Sequence, residues 1–540
     1  MFARTLSSTW SAVAWGHSST AASTASLCGV TWSPCSRRES VAVGTRPRLS
    51  PYLDLINLTV SDRLGSYGGG VDSVEARRDR GRLARGDRPR SSLAHFTPAP
   101  DRADPVDILL AQEIERMAAL TDLRHRRMSV SPFAFYRGGA AIMAADLGVM
   151  PTTGLDAQLC GDAHLANFGL FAAPDRSIVF DVNDFDETNP GPFEWDVLRL
   201  ATSFVLAADQ TGIPGDKARA IVANAARGYR SQMALHAQEN NLDIWYSRID
   251  IGFLRQWAKS EGKAARGTMR ESVAKAESRD VWSALDKMTH VVDGQRRLID
   301  RPPLVMPLPL EGDVAHRMNE IIQRYAETLP PDRAELLGRY RFIDIGHKVV
   351  GVGSVGLLAI VTLLQGRDGG DVLALQSKQA VGSVLEPFTK ASAFAEHGQR
   401  VVVGQQLMQA ASDPLLGWVA SNRGRSFYVR QLRDKKFSPD ITTMKPAVMG
   451  DYAMLCGRAL ARAHARSGDP ISIDAYLGKS GAFDRAVTTF ARTYAEQVRG
   501  DFATFTDAIA DGRVSVGSPE AEQHLSLSLD DHGSITVVSG

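Results

Sequence analysis

Two short segments constrain this chain more than any other: GDAHLANFG at Gly161–Gly169 and VNDFDET at Val182–Thr188. They set an Asp, a His and an Asn at tight spacing and bring a second acidic cluster after a hairpin-length gap. Phosphoryl transfer asks little covalent help of a protein. It needs an aligned acceptor and metal ions that neutralise phosphate charge. Asp162 is spaced to face an acceptor hydroxyl and take its proton. Asn167 shares that loop and would reach a metal ion, and Asp184 would hold the metal against a nucleotide's phosphates. Carboxylates as close in sequence as Asp184 and Asp186 repel unless a cation intervenes. Magnesium, a hard ion that prefers oxygen, is the expected occupant alongside ATP. His164 reads as a loop brace. A buried turn whose Asp and Asn cap backbone groups is the plain alternative; the later DFDE and PGPFEWD segments weigh against it.

The net charge of +1 implies no large basic surface, so no nucleic-acid partner is expected. The basic run Arg77–Arg90 reads as a solvated linker. The four cysteines form no C-x-x-C pair, which excludes a zinc ribbon or a thioredoxin-type motif. Cys160 and Cys456 sit in apolar surroundings as buried free thiols, and so few cysteines fit a reducing cytoplasm. Residues 1–95 read as a disordered extension, or as one whose start codon is set too far upstream; a transit peptide would look the same. Val349–Leu364 is apolar but shorter than the roughly 20 residues a membrane helix needs, and reads as a buried strand pair. No membrane partner is expected.

Apolar spacing predicts one amphipathic helix over Pro105–Leu123 and a small-residue helix ending at Gly148. A strand then runs into the Asp162 loop, two strands flank APDR, and NPGP breaks the chain. A long helix opens at Trp195, and the pattern stays mostly helical to Tyr340. Strand, turn and strand follow over Gly351–Ala380, then a helix near Ala395–Ala411 and a strand at Phe427–Leu432. Helices are expected at Asp451–Arg466 and Phe483–Ala510. The expected divisions are 1–95, a catalytic-loop half with a helical region at 96–340, a second half at 341–512 with a Gly-rich hairpin, a lysine strand and C-terminal helices, and a loose tail at 513–540.

GDAHLANFG, DFDE and the later Asp196 together resemble the aminoglycoside and choline kinase branch of the protein-kinase-like superfamily. The resemblance implies that Asp162 is the catalytic base, Asn167 and Asp184 are metal ligands, and Asp196 braces the catalytic loop. More closely, SPFAFYRG, GDAHLANFG and NDFDETNPGPFEWD are similar to a bacterial family known only as domain of unknown function 2252, over about Ala94–Gly512. Three departures stand out. Cys160 replaces the His that precedes Gly-Asp, Asp186 stands where a Gly is common, and no Gly-rich loop precedes Asp162.

Such a loop comes later, as GVGSVG at Gly351–Gly356. Gly351, Gly353 and Gly356 would let backbone amides approach phosphates. A Rossmann turn is the rival, but the run that follows is β-branched and suits a hairpin rather than a helix. The next strand carries Lys378, where a kinase-like lysine would meet the phosphates; an edge-strand lysine facing water is the plain alternative. Glu386 or Glu396 is its expected partner, with Glu386 nearer the strand. Arg137, in FYRGG, is a candidate to stabilise transferred charge or to form a structural ion pair.

The expected fold is therefore α+β, a protein-kinase-like two-lobed fold with circularly rearranged motif order and a helix-rich larger lobe. The helix at Asp451–Arg466 would pack beneath the catalytic loop; alternatively the helix at Ala140–Leu147 takes that role and the Gly-rich hairpin is unrelated. The expected function is an ATP- and magnesium-dependent, kinase-like phosphotransferase acting on a small molecule or a protein. Two alternatives stand beside it. One is a metal-dependent phosphoester hydrolase using Asp162, His164, Asp181 and Asp184. The other is a catalytically silent nucleotide-binding module.

Overall fold

A computed structural model describes residues 72–539, apart from 262–266, 268–269, 272, 276, 279–284, 350, 422–423, 433–436 and 530–534. The extension expected at residues 1–95 lies outside the described residues as far as 71. Five helices open the described part: α1 (Val74–Asp87), α2 (Pro105–Ala111), α3 (Ala118–Met128), α4 (Pro132–Gly138) and α5 (Ala140–Gly148). Their starts are written locally. Asp104 caps α2 ahead of Pro105, and Ser131 caps α4 ahead of Pro132. Four short strands follow: β1 (Asp156–Leu159), β2 (Phe168–Ala172), β3 (Ile178–Val182) and β4 (Asn189–Pro192), then α6 (Glu194–Gln210) and α7 (Gly215–His236). β1 pairs with β4 and β2 with β3, all antiparallel.

The second half holds β5 (Val305–Pro307), α8 (Val314–Ala326), β6 (Arg341–Lys348), β7 (Ala359–Gln365), β8 (Val372–Ala380), α9 (His397–Met408), β9 (Gly417–Ala420) and β10 (Ser426–Gln431). Its strands form one antiparallel sheet in the order β9-β10-β8-β7-β6-β5. GVGSVG is the connection between β6 and β7, and Lys378 lies on β8 opposite Ala359 on one side and Tyr428 on the other. Every residue of β7 is buried because both sheet faces are covered. One face packs with Tyr325, Leu329 and Leu337, the other with Leu285, Met288 and Leu298. That double burial gives AIVTLL its continuous apolar reading. Among the described residues no helix is long and apolar enough to cross a membrane.

Three helices close the body: α10 (Pro446–Ser467), α11 (Pro470–Leu477) and α12 (Ala482–Ala510). α10 lies against α7 at a glycine-mediated crossing. A Cβ on Gly457 would stand 2.1 Å from the Ala225 carbonyl oxygen, so only glycine permits this approach. α10 also runs under the Asp162 loop, where Tyr452 Oη donates between the Leu165 and Phe168 carbonyls at 2.8 and 3.0 Å.

Four expectations need correction. The single helix over Pro105–Leu123 breaks into α2, a 3-10 turn at Gln112–Glu115, and α3. Met117 is extended there, and its N–H bonds the Gly356 carbonyl at 2.8 Å, a long-range bond that local periodicity does not encode. The basic run Arg77–Arg90 is no linker: α1 docks on α11, with Arg77 2.5 Å from Asp469 and Arg90 donating to the Leu477 carbonyl at 2.6 Å. NPGP does not only break the chain; it forms β4, tolerated because a two-stranded ribbon is all edge. The tail at 513–540 is not loose in its described part. Leu525–Leu529 pairs with Ile535–Ser539, and Leu525, Leu527 and Val537 are buried with Leu120, Leu123 and Met306.

Candidate functional site

The Asp162 loop is held by its backbone before its side chains act. Gly161 has φ +79°, and a Cβ there would stand 2.2 Å from the Glu187 carbonyl oxygen. Only glycine satisfies both limits. Asp196, in the first turn of α6, accepts the Cys160 and Gly161 N–H groups at 2.8 and 3.0 Å. His464 on α10 reaches the same carboxylate at 3.2 Å, and Tyr229 on α7 bonds that imidazole at 2.9 Å. Asp196 thus ties the loop to two helices.

Arg199, one turn further along α6, fixes the Asp162 side chain. Its Nε donates to Asp162 Oδ1 at 2.7 Å, its Nη2 donates to the Tyr136 carbonyl at 2.9 Å, and its guanidinium lies 4.3 Å above the Tyr136 ring. His164 Nε2 is 3.6 Å from the other Asp162 oxygen. Burial pushes the His164 pKa down to about 4, against the pull of Asp162, so this imidazole is neutral near pH 7. Asn167 donates through Nδ2 to the Asp162 carbonyl at 2.9 Å, which leaves its carbonyl oxygen as the atom to face a cation. β3 then delivers Asp184 and Asp186.

Lys378 comes from the opposite half of the chain and meets them. Its Nζ lies 3.1 Å from Asp186 and 3.8 Å from Asp184, and 5.6 Å from the centre of the Tyr428 ring. The residue is 6 % exposed. Burial alone would lower its pKa, but the two carboxylates outweigh burial and hold it above the usual lysine value.

Two cavities flank this junction. The larger, about 990 Å³, is lined by Asp162, His164, Asn167, Asp184, Asp186, Arg137 and the loop residues Gly351, Gly353 and Ser354. The smaller, about 420 Å³, is lined by Lys378, Lys348, Asn183, Asp184, Gly351, Ser354, Phe171 and Leu432. Asp184, Gly351 and Ser354 belong to both. The loop is anchored through its carbonyls: Arg127 donates to Gly351 at 2.7 Å, Arg116 to Val355 at 2.5 Å, and the Met117 N–H to Gly356 at 2.8 Å. Gly356 lines neither cavity and packs against the Arg116 side chain.

Glu386 is not the partner of Lys378. Its carboxylate accepts the Ser383 N–H at 3.1 Å while Ser383 Oγ accepts the Leu385 N–H at 3.2 Å, a reciprocal turn of the capping-box kind. The same carboxylate lies 3.6 Å from Arg400 Nε. This local bonding turns Glu386 away, and Asp184 and Asp186 take the role expected of it. Asp181 is also placed elsewhere than a metal cluster would need. It is buried against Arg462, at 2.7 and 2.8 Å, and accepts the Ala410 N–H at 2.9 Å.

Arg199 and Glu187 escaped the sequence reading. For Arg199 the available signal was its spacing three residues after Asp196, which puts both on one face of α6. Glu187 lines the larger cavity and accepts the Val384 N–H at 2.8 Å. Burial, aided by Asp186 and Asp162, pushes its pKa from an ordinary 4.5 up to about 7. Between these values the folded state holds a proton that the unfolded state has released. Glu187 should therefore lower stability progressively as pH rises from about 4.5 to about 7. Glu187→Gln should flatten that part of the profile in urea titrations; an unchanged slope would contradict the assignment.

Comparison with known proteins places the chain. Residues 116–508 match the family described as uncharacterized proteins conserved in bacteria, DUF2252. The chain belongs to this family. No curated protein and no solved structure matches it. The matched range takes in Asp162, Asn167, Asp184, Asp186 and Lys378, and leaves α1 outside it.

Proposed function

We propose that this chain is an ATP- and magnesium-dependent phosphotransferase acting on an acceptor that enters the larger cavity. The observation that carries this reading is the 3.8 Å approach of Lys378 to Asp184 at the wall shared by two cavities, beside the Gly351–Ser354 stretch. A nucleotide would lie on the Lys378 side and the acceptor on the Asp162 side, with the transferring phosphate passing Asp184. Asp162 would accept the proton of the acceptor hydroxyl, and Arg199 would position it. Catalysis of this type rests on alignment and charge neutralisation, which these groups supply.

The residues suit a magnesium ion. Asp184, Asp186 and the Asn167 carbonyl are hard oxygen donors, and Asp186 Oδ1 is buried without a hydrogen-bond partner among the described residues. Magnesium bound there would neutralise charge on the phosphates.

The same reading makes the fold protein-kinase-like in circularly rearranged order. In kinases a Gly-rich loop is followed by a strand bearing the lysine, and the catalytic loop comes later. Here β6, GVGSVG, β7 and the Lys378 strand β8 keep that internal order but come after the catalytic loop. One element departs from the pattern. Kinases pair the lysine with a helix glutamate, whereas α9 (HGQRVVVGQQLM) contains no acid and the aspartates serve instead.

The hydrolase alternative is weaker, because Asp181 is committed to Arg462. Among the described residues no group of three or more His, Cys, Asp or Glu side chains is placed to hold a metal. Calorimetry on the purified chain tests the proposal. ATP should bind in the presence of magnesium, and Asp184→Asn should weaken that binding about tenfold or more, the value of a charged contact. Absence of magnesium-dependent binding, or indifference to Asp184→Asn, would count against it.

A further inference from the structure

Most charged groups lining the larger cavity are already satisfied. Arg102 is paired with Asp146 at 2.6 Å and Asp501 at 2.7 Å, Asp162 with Arg199, and Asp186 with Lys378. Asp101, Glu115 and Arg425 are exposed at the rim. Two arginines are different. Arg116 and Arg137 line the cavity, have no carboxylate within ion-pair distance among the described residues, and each carries a buried Nε without a hydrogen-bond partner.

From this we infer that the acceptor carries an anionic group, a phosphate or a carboxylate, which Arg116 and Arg137 hold beside Asp162. The inference rests on the phosphotransferase reading, since it names the acceptor of that site. Both residues are half-buried, and burial lowers the pKa of each; Glu187, Glu113 and Asp186 offset this only in part at Arg116, as Asp162 and Asp184 do at Arg137. Arg124, fully buried behind them, bonds only neutral oxygens, the Gly138 carbonyl at 3.1 Å and Gln112 at 3.3 Å, and adds to the positive field. A buried charge with no partner in direct contact is costly, and an anionic ligand would supply that contact. Guanidinium groups suit planar or tetrahedral oxyanions through forked donors. Neither arginine lines the smaller cavity with Lys378, which assigns them to the acceptor and not to the nucleotide.

The test is binding of inorganic phosphate to the full chain, with and without saturating magnesium and a non-hydrolysable ATP analogue. Wild type should bind phosphate at pH 6.5 in both conditions. Arg116→Gln should weaken it about tenfold to a hundredfold, the value of lost charged hydrogen bonds. Arg116→Lys should retain part of the affinity and controls for the packing of the arginine stem on Gly356. Displacement of phosphate by the analogue would assign the anion to the nucleotide site and overturn the inference. So would affinity unchanged in Arg116→Gln. Failure of the analogue to bind at all would sink the phosphotransferase reading separately, while the arginine dependence of phosphate binding would still be measurable.

Discussion

Asp162→Asn is expected to lower phosphoryl transfer by about a hundredfold to ten-thousandfold, the usual contribution of a positioned general base. Affinity for ATP with magnesium should stay within about twofold of wild type, because the carboxylate lines the larger cavity and not the one holding Lys378. The change also removes the anionic partner of Arg199, whose side chain is 4 % exposed. A stability loss of about 1–3 kcal/mol should follow from weakening that charged hydrogen bond. Turnover must therefore be compared at a temperature where both proteins are folded. Single-turnover measurement of ADP formation separates the two effects. Equal loss of nucleotide affinity and of turnover would place Asp162 on the nucleotide and refute its assignment as base.

The largest effect on stability is expected near the C-terminal end of β3. Arg462 and Asp181 form an ion pair with side chains only 2 % and 1 % exposed. Arg462→Met would leave a carboxylate buried opposite a hydrophobic chain, still bonded to the Ala410 N–H but without its counter-charge. A loss of about 3–5 kcal/mol is expected, the range for breaking a buried pair by removing one partner. Urea unfolding should show it. The double variant with Asp181→Asn should recover part of the loss, because the uncompensated charge is gone. A single-variant loss below about 1 kcal/mol would mean that water or neighbouring groups replace the guanidinium. The pair also matters to the site: it anchors the strand that delivers Asp184 and Asp186 to α10.

What the sequence could reveal depended on how locally each feature is encoded. Asp162, Asn167 and Asp184 were legible because loop spacing and a two-strand hairpin place them. Lys378 was legible because strand alternation and an adjacent Gly-rich hairpin mark its position. Arg199 was not, because its spacing three residues after Asp196 marks a shared helix face but not the contact with Asp162, which forms only when α6 docks against the loop. Glu386 was misassigned because proximity to a strand end does not reveal that Ser383 claims its carboxylate. The break at Met117 depends on one bond to Gly356, 239 residues away. Charge density hid the docking of α1, since its partner Asp469 lies 392 residues from Arg77. The tail was misread for the same reason: its few apolar residues become meaningful only against Leu120 and Met306.

On the proposed function, one triphosphate lies between the acidic groups of the first half and the loop and lysine of the second. A crystal structure with magnesium and a non-hydrolysable ATP analogue tests it most directly. Phosphate oxygens should lie within hydrogen-bonding distance of Lys378 Nζ, with a metal ion on Asp184 and Gly351–Ser354 over the phosphates. An analogue bound away from Lys378 and Asp184, or a site that stays empty at saturating ligand, would contradict it.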